Sequence, residues 1–304
     1  MGQRRAAFFD VDGTLLKSNI VMPFVLLRTA ELKLLPRLFW VPVRARGGRA
    51  RDIEGPSCDP HPLSANVCAL SVIVLSPRAD KLAGVTGHFF AQFFAMQCAA
   101  YKLLDRINRS WFQTLFYTNY KGRHASFKRP FAEFVHREYL RPRVRPQARE
   151  EVARLKREGY IVVLVTGSLD FLVRPLAMAL GADVLIGARL EEDVHAVLTG
   201  RLDGEPVSDE EKAVRMRELA EDKGIDLQQS TAFGDGFADL PMLEAVGEPV
   251  AVNSDGRLAS VARKRGWRTV RWAEPDGPRG VGLLARIFAR KERGTFELKL
   301  AGGV

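Results

Sequence analysis

Cysteine is scarce. The 304 residues hold three, Cys58, Cys68 and Cys98, an odd number with no Cys-x-x-Cys pair. That argues against a disulfide framework and against a zinc site, and a reducing compartment such as the cytoplasm is the expectation. Histidine is nearly as sparse: the five are dispersed and acquire no role. Long apolar runs are also missing. The longest, around Ser71–Leu75 and from Phe89 to Ala100, fall short of the ~20 residues a bilayer span needs. Met1-Gly2-Gln3-Arg4-Arg5 runs straight into an apolar segment, so no signal peptide is expected. Acidic charge is outweighed, 36 Asp and Glu against 46 Lys and Arg, for a formal net charge of +10. A basic balance suits an anionic substrate or an anionic membrane surface. No nucleic-acid motif accompanies it, so nucleic acid is not an expected partner.

What is present is a globular composition, 46% apolar, in a chain long enough for a sizeable core. The organising stretch is Ala6-Ala7-Phe8-Phe9-Asp10-Val11-Asp12-Gly13-Thr14. Its apolar run reads as a short buried strand that stops at two carboxylates. In an open α/β fold the ends of such strands hold ligands. Two carboxylates there need a cation, a proton or a helix N-terminus beside them.

From Ile20 the pattern turns helical, with proline breaks at Pro36 and Pro42. Residues 44–87 hold turn-formers and no period, and are expected to be an atypical insertion without a regular fold. Helical patterns resume at Phe89–Tyr120 and Phe127–Tyr139. From Pro146 onward strands and helices alternate. Strands are expected at Tyr160–Val165, Asp183–Ile186, Thr231–Phe233, Pro249–Val252 and Arg268–Trp272. Helices are expected at Gln147–Glu158, Leu169–Leu180, Ser208–Lys223, Leu240–Val246 and Gly256–Lys264. Leu190–Val207 reads as one or two hairpins, with turns at Glu192-Asp193 and Asp203-Gly204, and Ser208 with Glu211 reads as a capping box. Such alternation predicts an α/β fold with a doubly wound parallel, Rossmann-like sheet. Residues 1–16 and 146–273 would form this core, 17–145 an inserted helical cap, and 274–304 a terminal helix and tail.

Four segments fall at or near the C-terminal ends of predicted strands: Asp10-Val11-Asp12-Gly13-Thr14, Thr166-Gly167-Ser168, Lys212 and Gly234-Asp235-Gly236-Phe237-Ala238-Asp239. A parallel sheet brings such ends to one edge. Carboxylates on small glycine turns suit a hard cation such as Mg²⁺. A hydroxyl, backbone N–H groups at a helix start and an ammonium suit a phosphoryl group. Together they describe a site for a phosphate monoester over Mg²⁺. Lys212 also has a plainer reading, as a surface lysine beside Glu210 and Glu211, and Ser168 could either join the phosphate cradle or only cap the next helix.

With these motifs in this order, the chain resembles the haloacid dehalogenase superfamily, in particular its phosphoserine-phosphatase-like branch. The resemblance implies a phosphoric monoester hydrolase. Asp10 would be the nucleophile that forms an aspartyl-phosphate, and Asp12 the general acid and base. Asp10, the backbone carbonyl of Asp12 and Asp235 would hold Mg²⁺. Thr166, Gly167 and Lys212 would bind the phosphoryl group, with Asp239 in support. Phosphoserine phosphatases of this branch carry a Glu nine positions after the nucleophile, and Asn19 stands there in this chain. A neutral amide balances a substrate ammonium poorly, so poor turnover of phosphoserine is expected, and the substrate is expected to be a small organic phosphate, not clearly phosphoserine. Two alternatives stay open: a lipid or amphiphile phosphatase with peripheral membrane contact, and an idle phosphate-binding module.

Overall fold

The structure, a computed structural model, describes residues 4–17 and 109–275. The expectations for 18–108, including the insertion at 44–87 and Asn19, lie outside the described residues, as does the tail beyond 275.

Strand β1 (Ala6–Asp10) is buried along its whole length. It pairs in parallel with β2 (Ile161–Leu169) on one side and β6 (Thr231–Gly234) on the other. With β3 (Val184–Ala188), β7 (Glu248–Val252) and β8 (Arg268–Val270), the described strands make one six-stranded sheet in the order β3-β2-β1-β6-β7-β8. All its pairings are parallel. A strand flanked on both edges and covered on both faces must be apolar throughout, which is why Ala6-Ala7-Phe8-Phe9 shows no polar alternation. Ala6 and Phe8 face one layer, with Val163, Met216, Met242 and Leu258. The opposite face carries Phe9, stacked on Phe233 at 4.5 Å, which in turn stacks on Trp272. Each such side chain, fully removed from water, contributes about 1.5–3 kcal/mol.

Helices cross between the strands. They are α3 (Pro146–Arg157), α4 (Asp170–Leu180), α5 (Glu210–Lys223), α6 (Leu240–Glu244) and α7 (Gly256–Lys264). The short antiparallel pair β4 (Leu190–Glu192) and β5 (Leu198–Leu202) stands apart from the main sheet. Before α3 lie α1 (Arg109–Tyr117) and α2 (Lys128–Val135). Among the described residues no helix is long and apolar enough to cross a membrane.

Three local expectations need correction. The segment Phe127–Tyr139 is not one helix. It passes from a 3-10 turn into α2, then a π turn at His136–Leu140 and a 3-10 turn at Arg141–Arg143, where Pro142 cannot continue the α ladder. Strand β2 does not stop at Val165 but runs through Thr166-Gly167-Ser168 to Leu169, with its register against β3 shifting between Val165 and Leu169. Leu190–Val207 holds one hairpin, as one of the two expected arrangements has it, with the turn after Glu192, where Asp193 Oδ1 accepts the N–H groups of His195 and Val197. Helix α5 starts at Glu210, later than a Ser208 N-cap would place it: the chain enters through Asp209 at φ 44°, whose side chain gives no cap. That helix is located instead by a contact in its interior, described next.

Candidate active site

Residues of α5 four apart face the sheet: Lys212, Met216 and Ala220 are all buried. The lower two pack on Ala6 and Phe8. Lys212 sits one turn higher, level with the end of β1, so its ammonium arrives at Asp10. Nζ lies 2.6 Å from Asp10 Oδ1 and 2.6 Å from Asp239 Oδ1. Lys212 is 2% exposed, which settles its two readings against the surface lysine.

Asp239 is held on its other oxygen as well. Its Oδ2 accepts the N–H groups of Asp235 at 3.1 Å and Gly236 at 3.0 Å, which shapes the turn leaving β6. Both oxygens of Asp239 are therefore engaged. Asp235 leans the other way: its Oδ1 accepts the Thr14 hydroxyl at 3.1 Å. The carboxylate lies directly over Gly13, where an added Cβ would stand 2.2 Å from Asp235 Oδ2. Gly13 has φ +100°, so the turn needs glycine for its conformation and again for this approach. Arg145, itself buried, donates to the Gly13 carbonyl at 3.2 Å and to the carbonyls of Trp272 and Ala273.

Asp10, Asp235 and Asp239 each present an oxygen such that the three atoms lie within 4.8 Å of one another. Asp10 Oδ2 is buried without a hydrogen-bond partner. Burial pushes the Asp10 carboxyl well above its usual range, the nearby Asp239 and Asp235 add to that, and Lys212 opposes it. A buried, unpartnered carboxylate oxygen among like charges is the environment a hard cation relieves, and an all-oxygen donor set fits Mg²⁺.

The Asp12 carboxylate is not part of that group. It turns toward β2, where its Oδ2 accepts Ser168 Oγ–H at 2.6 Å and Thr166 Oγ1–H at 3.3 Å. Thr166 Oγ1 in turn accepts the Ser168 N–H at 3.0 Å. The structure thus brings the Asp10, Asp235 and Asp239 carboxylates together and sets that of Asp12 against the Thr166 and Ser168 hydroxyls. Gly167 meets the site through its carbonyl, which accepts from two buried side chains of α1, Gln113 and Tyr117. Sequence reasoning missed both, as well as Arg145. Only Arg145 carried a signal, a charged residue just ahead of Pro146 and the α/β alternation.

The comparisons agree with this architecture. The model of the haloacid dehalogenase-like hydrolase family matches residues 77–244, more than half of the chain. The chain belongs to this family. It is 37% identical over 146 residues to a phosphoserine phosphatase of Mycobacterium tuberculosis, covering 44% of this chain and 47% of that protein. It is 32% identical over 147 residues to a histidinol-phosphatase of Neisseria meningitidis, covering 46% of this chain and 66% of that protein. The chain spans about half the length of the mycobacterial relatives it matches. Among solved structures, a Bordetella pertussis protein of unknown function aligns with TM-score 0.58 at 22% identity, over 88% of this chain and 99% of that one. A phospho-aspartyl intermediate analogue of phosphoserine phosphatase aligns with TM-score 0.52 at 17% identity, over 95% of this chain and 99% of that one. These likenesses establish the fold.

Proposed function

We propose that this chain is a Mg²⁺-dependent phosphomonoesterase working by double displacement on a small organic phosphate. The observation that carries the reading is Asp10: buried, held on Oδ1 by Lys212, and without a hydrogen-bond partner on Oδ2. Asp10, the Asp12 carbonyl and Asp235 would hold the ion, which would supply charge neutralisation for the incoming dianion.

In the first step an Asp10 oxygen attacks phosphorus, the bond to the leaving oxygen breaks, and Asp12 gives that oxygen its proton. In the second step Asp12 takes a proton from water as the water oxygen attacks phosphorus. Phosphate leaves and the Asp10 carboxylate is restored. Lys212 holds positive charge against the nucleophile and the transferring group, Thr166 and Gly167 line the phosphoryl side, and Asp239 keeps Lys212 in place. Residues 1–16 and 146–273 act as the catalytic core in this reading, with 17–145 as a cap that selects substrate and excludes water.

The test is hydrolysis of p-nitrophenyl phosphate by the full chain, with and without Mg²⁺, beside Asp10→Asn. Turnover that needs both Mg²⁺ and Asp10 is expected, and the chain should bind beryllium fluoride only with Asp10 intact. Activity retained by Asp10→Asn, or undiminished by chelator, would end the reading.

A further inference from the structure

Strand β2 is irregular near Asp12: its register against β3 shifts between Val165 and Leu169, and Thr166 and Ser168 within that span contact Asp12. The regular ladder alone does not fix that segment. Two hydrogen bonds from α1 also hold it. Tyr117 Oη donates to the Gly167 carbonyl at 2.7 Å, and Gln113 Nε2 donates to the same oxygen at 3.0 Å. A carbonyl oxygen has two lone pairs, and these two donors fill them. Both side chains are fully buried, at 0% and 1% exposure. The approach is close: a Cβ on residue 167 would stand 2.3 Å from Gln113 Nε2 and 2.9 Å from the Val207 carbonyl oxygen. The carbonyl can only accept, so it is the amide nitrogen of Gln113 that faces it. The other end, Oε1, is buried with no hydrogen-bond partner. A buried acceptor left unpaired is costly, so core packing alone does not account for an amide here.

Gly167 stands between the two hydroxyl residues that hold Asp12. Ser168 Oγ and Thr166 Oγ1 both donate to Asp12 Oδ2. Two donors on Oδ2 fix the orientation of the Asp12 carboxylate. Turning the Gly167 peptide would swing both hydroxyls off the carboxylate.

We propose that Gln113 and Tyr117 are positioning residues for the Asp12 carboxylate: by pinning the Gly167 carbonyl they hold Thr166 and Ser168 on Asp12 and so keep that carboxylate aimed at the leaving oxygen. The proposal rests on Asp12 as proton donor and goes beyond it, since it assigns control of that donor to helix α1.

Tyr117→Phe removes one oxygen from a buried ring and is the first variant; Gln113→Met is the second. An alkyl phosphate needs its leaving oxygen protonated, whereas the p-nitrophenolate of p-nitrophenyl phosphate departs readily without a proton. Because kcat/KM reports the step in which the leaving group departs and not the later hydrolysis common to both esters, Tyr117→Phe is expected to lower kcat/KM on an alkyl phosphate by about 10-fold and on the aryl ester by less than about threefold. Asp12→Asn should show the same split, only larger. Equal losses on both esters, or none, while Asp12→Asn keeps its split, would overturn this proposal alone. No split in Asp12→Asn would remove the proton donor and this proposal with it. A second readout needs no turnover: the Ser168 amide, held by Thr166 Oγ1, should exchange with solvent about 10-fold faster in either variant while β1 amides stay protected. Wild-type exchange at Ser168 in both variants would refute the pinning whatever the kinetics.

Discussion

Replacing Lys212 with Met probes the centre of the site. The ammonium makes two contacts of 2.6 Å with buried carboxylates. At an effective dielectric of about 20, unit charges at that separation attract by about 6 kcal/mol per contact. Desolvating three ions opposes most of that gain, so the triad as a whole contributes little net stability. Removing one partner is different. Met fills the space, but Asp10 and Asp239 then face each other with no counter-charge. Breaking a buried pair in this way costs about 3–5 kcal/mol, a large share of a domain's usual stability. Urea unfolding of metal-free protein near neutral pH reads the loss directly. The double variant Lys212→Met with Asp239→Asn is the informative control. The Asn keeps an oxygen to accept the Asp235 and Gly236 amides while removing the repelling charge, so it should regain about half of the loss or more. A single variant within about 1 kcal/mol of wild type, or a double no better than the single, would refute the electrostatic account of the site.

Other outcomes follow from neighbouring features. Gly13→Ala places a Cβ 2.2 Å from Asp235 Oδ2 at φ +100°. It should destabilise by about 1–3 kcal/mol in thermal melts and lower kcat by about 100-fold, because both acidic turns must shift. His136 has a buried, unpartnered Nδ1, and its pKa is held below 6.5 by burial and then by Arg141 and Arg149. A lowered histidine pKa means that the unfolded chain binds the proton first, so this stability is complete above about pH 6.5 and is lost as pH falls through the folded value. Between about pH 7.5 and about pH 5.5 the wild type should therefore lose more urea resistance than His136→Gln. On a substrate panel, kcat/KM for phosphoserine should not exceed that for a neutral monoester, and Asn19→Glu should raise phosphoserine selectively. A wild-type preference for phosphoserine would remove the argument from Asn19.

The parts of the fold that could be read from sequence are those with local causes. The apolar run ending at Asp10, the glycine turns and the alternation after Pro146 each reflect a period or a turn rule, and the sheet follows from them. Boundaries failed where a distant contact decides. Ser208 looked like a cap, but α5 is located from within by Lys212 on Asp10 and Asp239. Lys212 itself was ambiguous beside Glu210 and Glu211; its spacing to Met216 and Ala220 was the discriminating signal. Ser168 was undecided because a serine after Thr-Gly fits a cap and a site equally well, and only the fold brings Asp12 to it. Gln113 and Tyr117 were invisible for a related reason. Their partner lies some fifty residues on, and neither side chain departs from what a buried helix face would carry.

The strand bearing Asp10 is made first yet lies in the middle of the sheet, between partners that begin at Ile161 and Thr231. On a ribosome it must wait for more than two hundred residues before both its edges are covered. Such long loop closures slow folding, and an apolar segment with open edges is the part of a nascent chain that sticks to others. Yield on expression should therefore respond to holdase chaperones and to translation rate more than to any substitution on the finished surface.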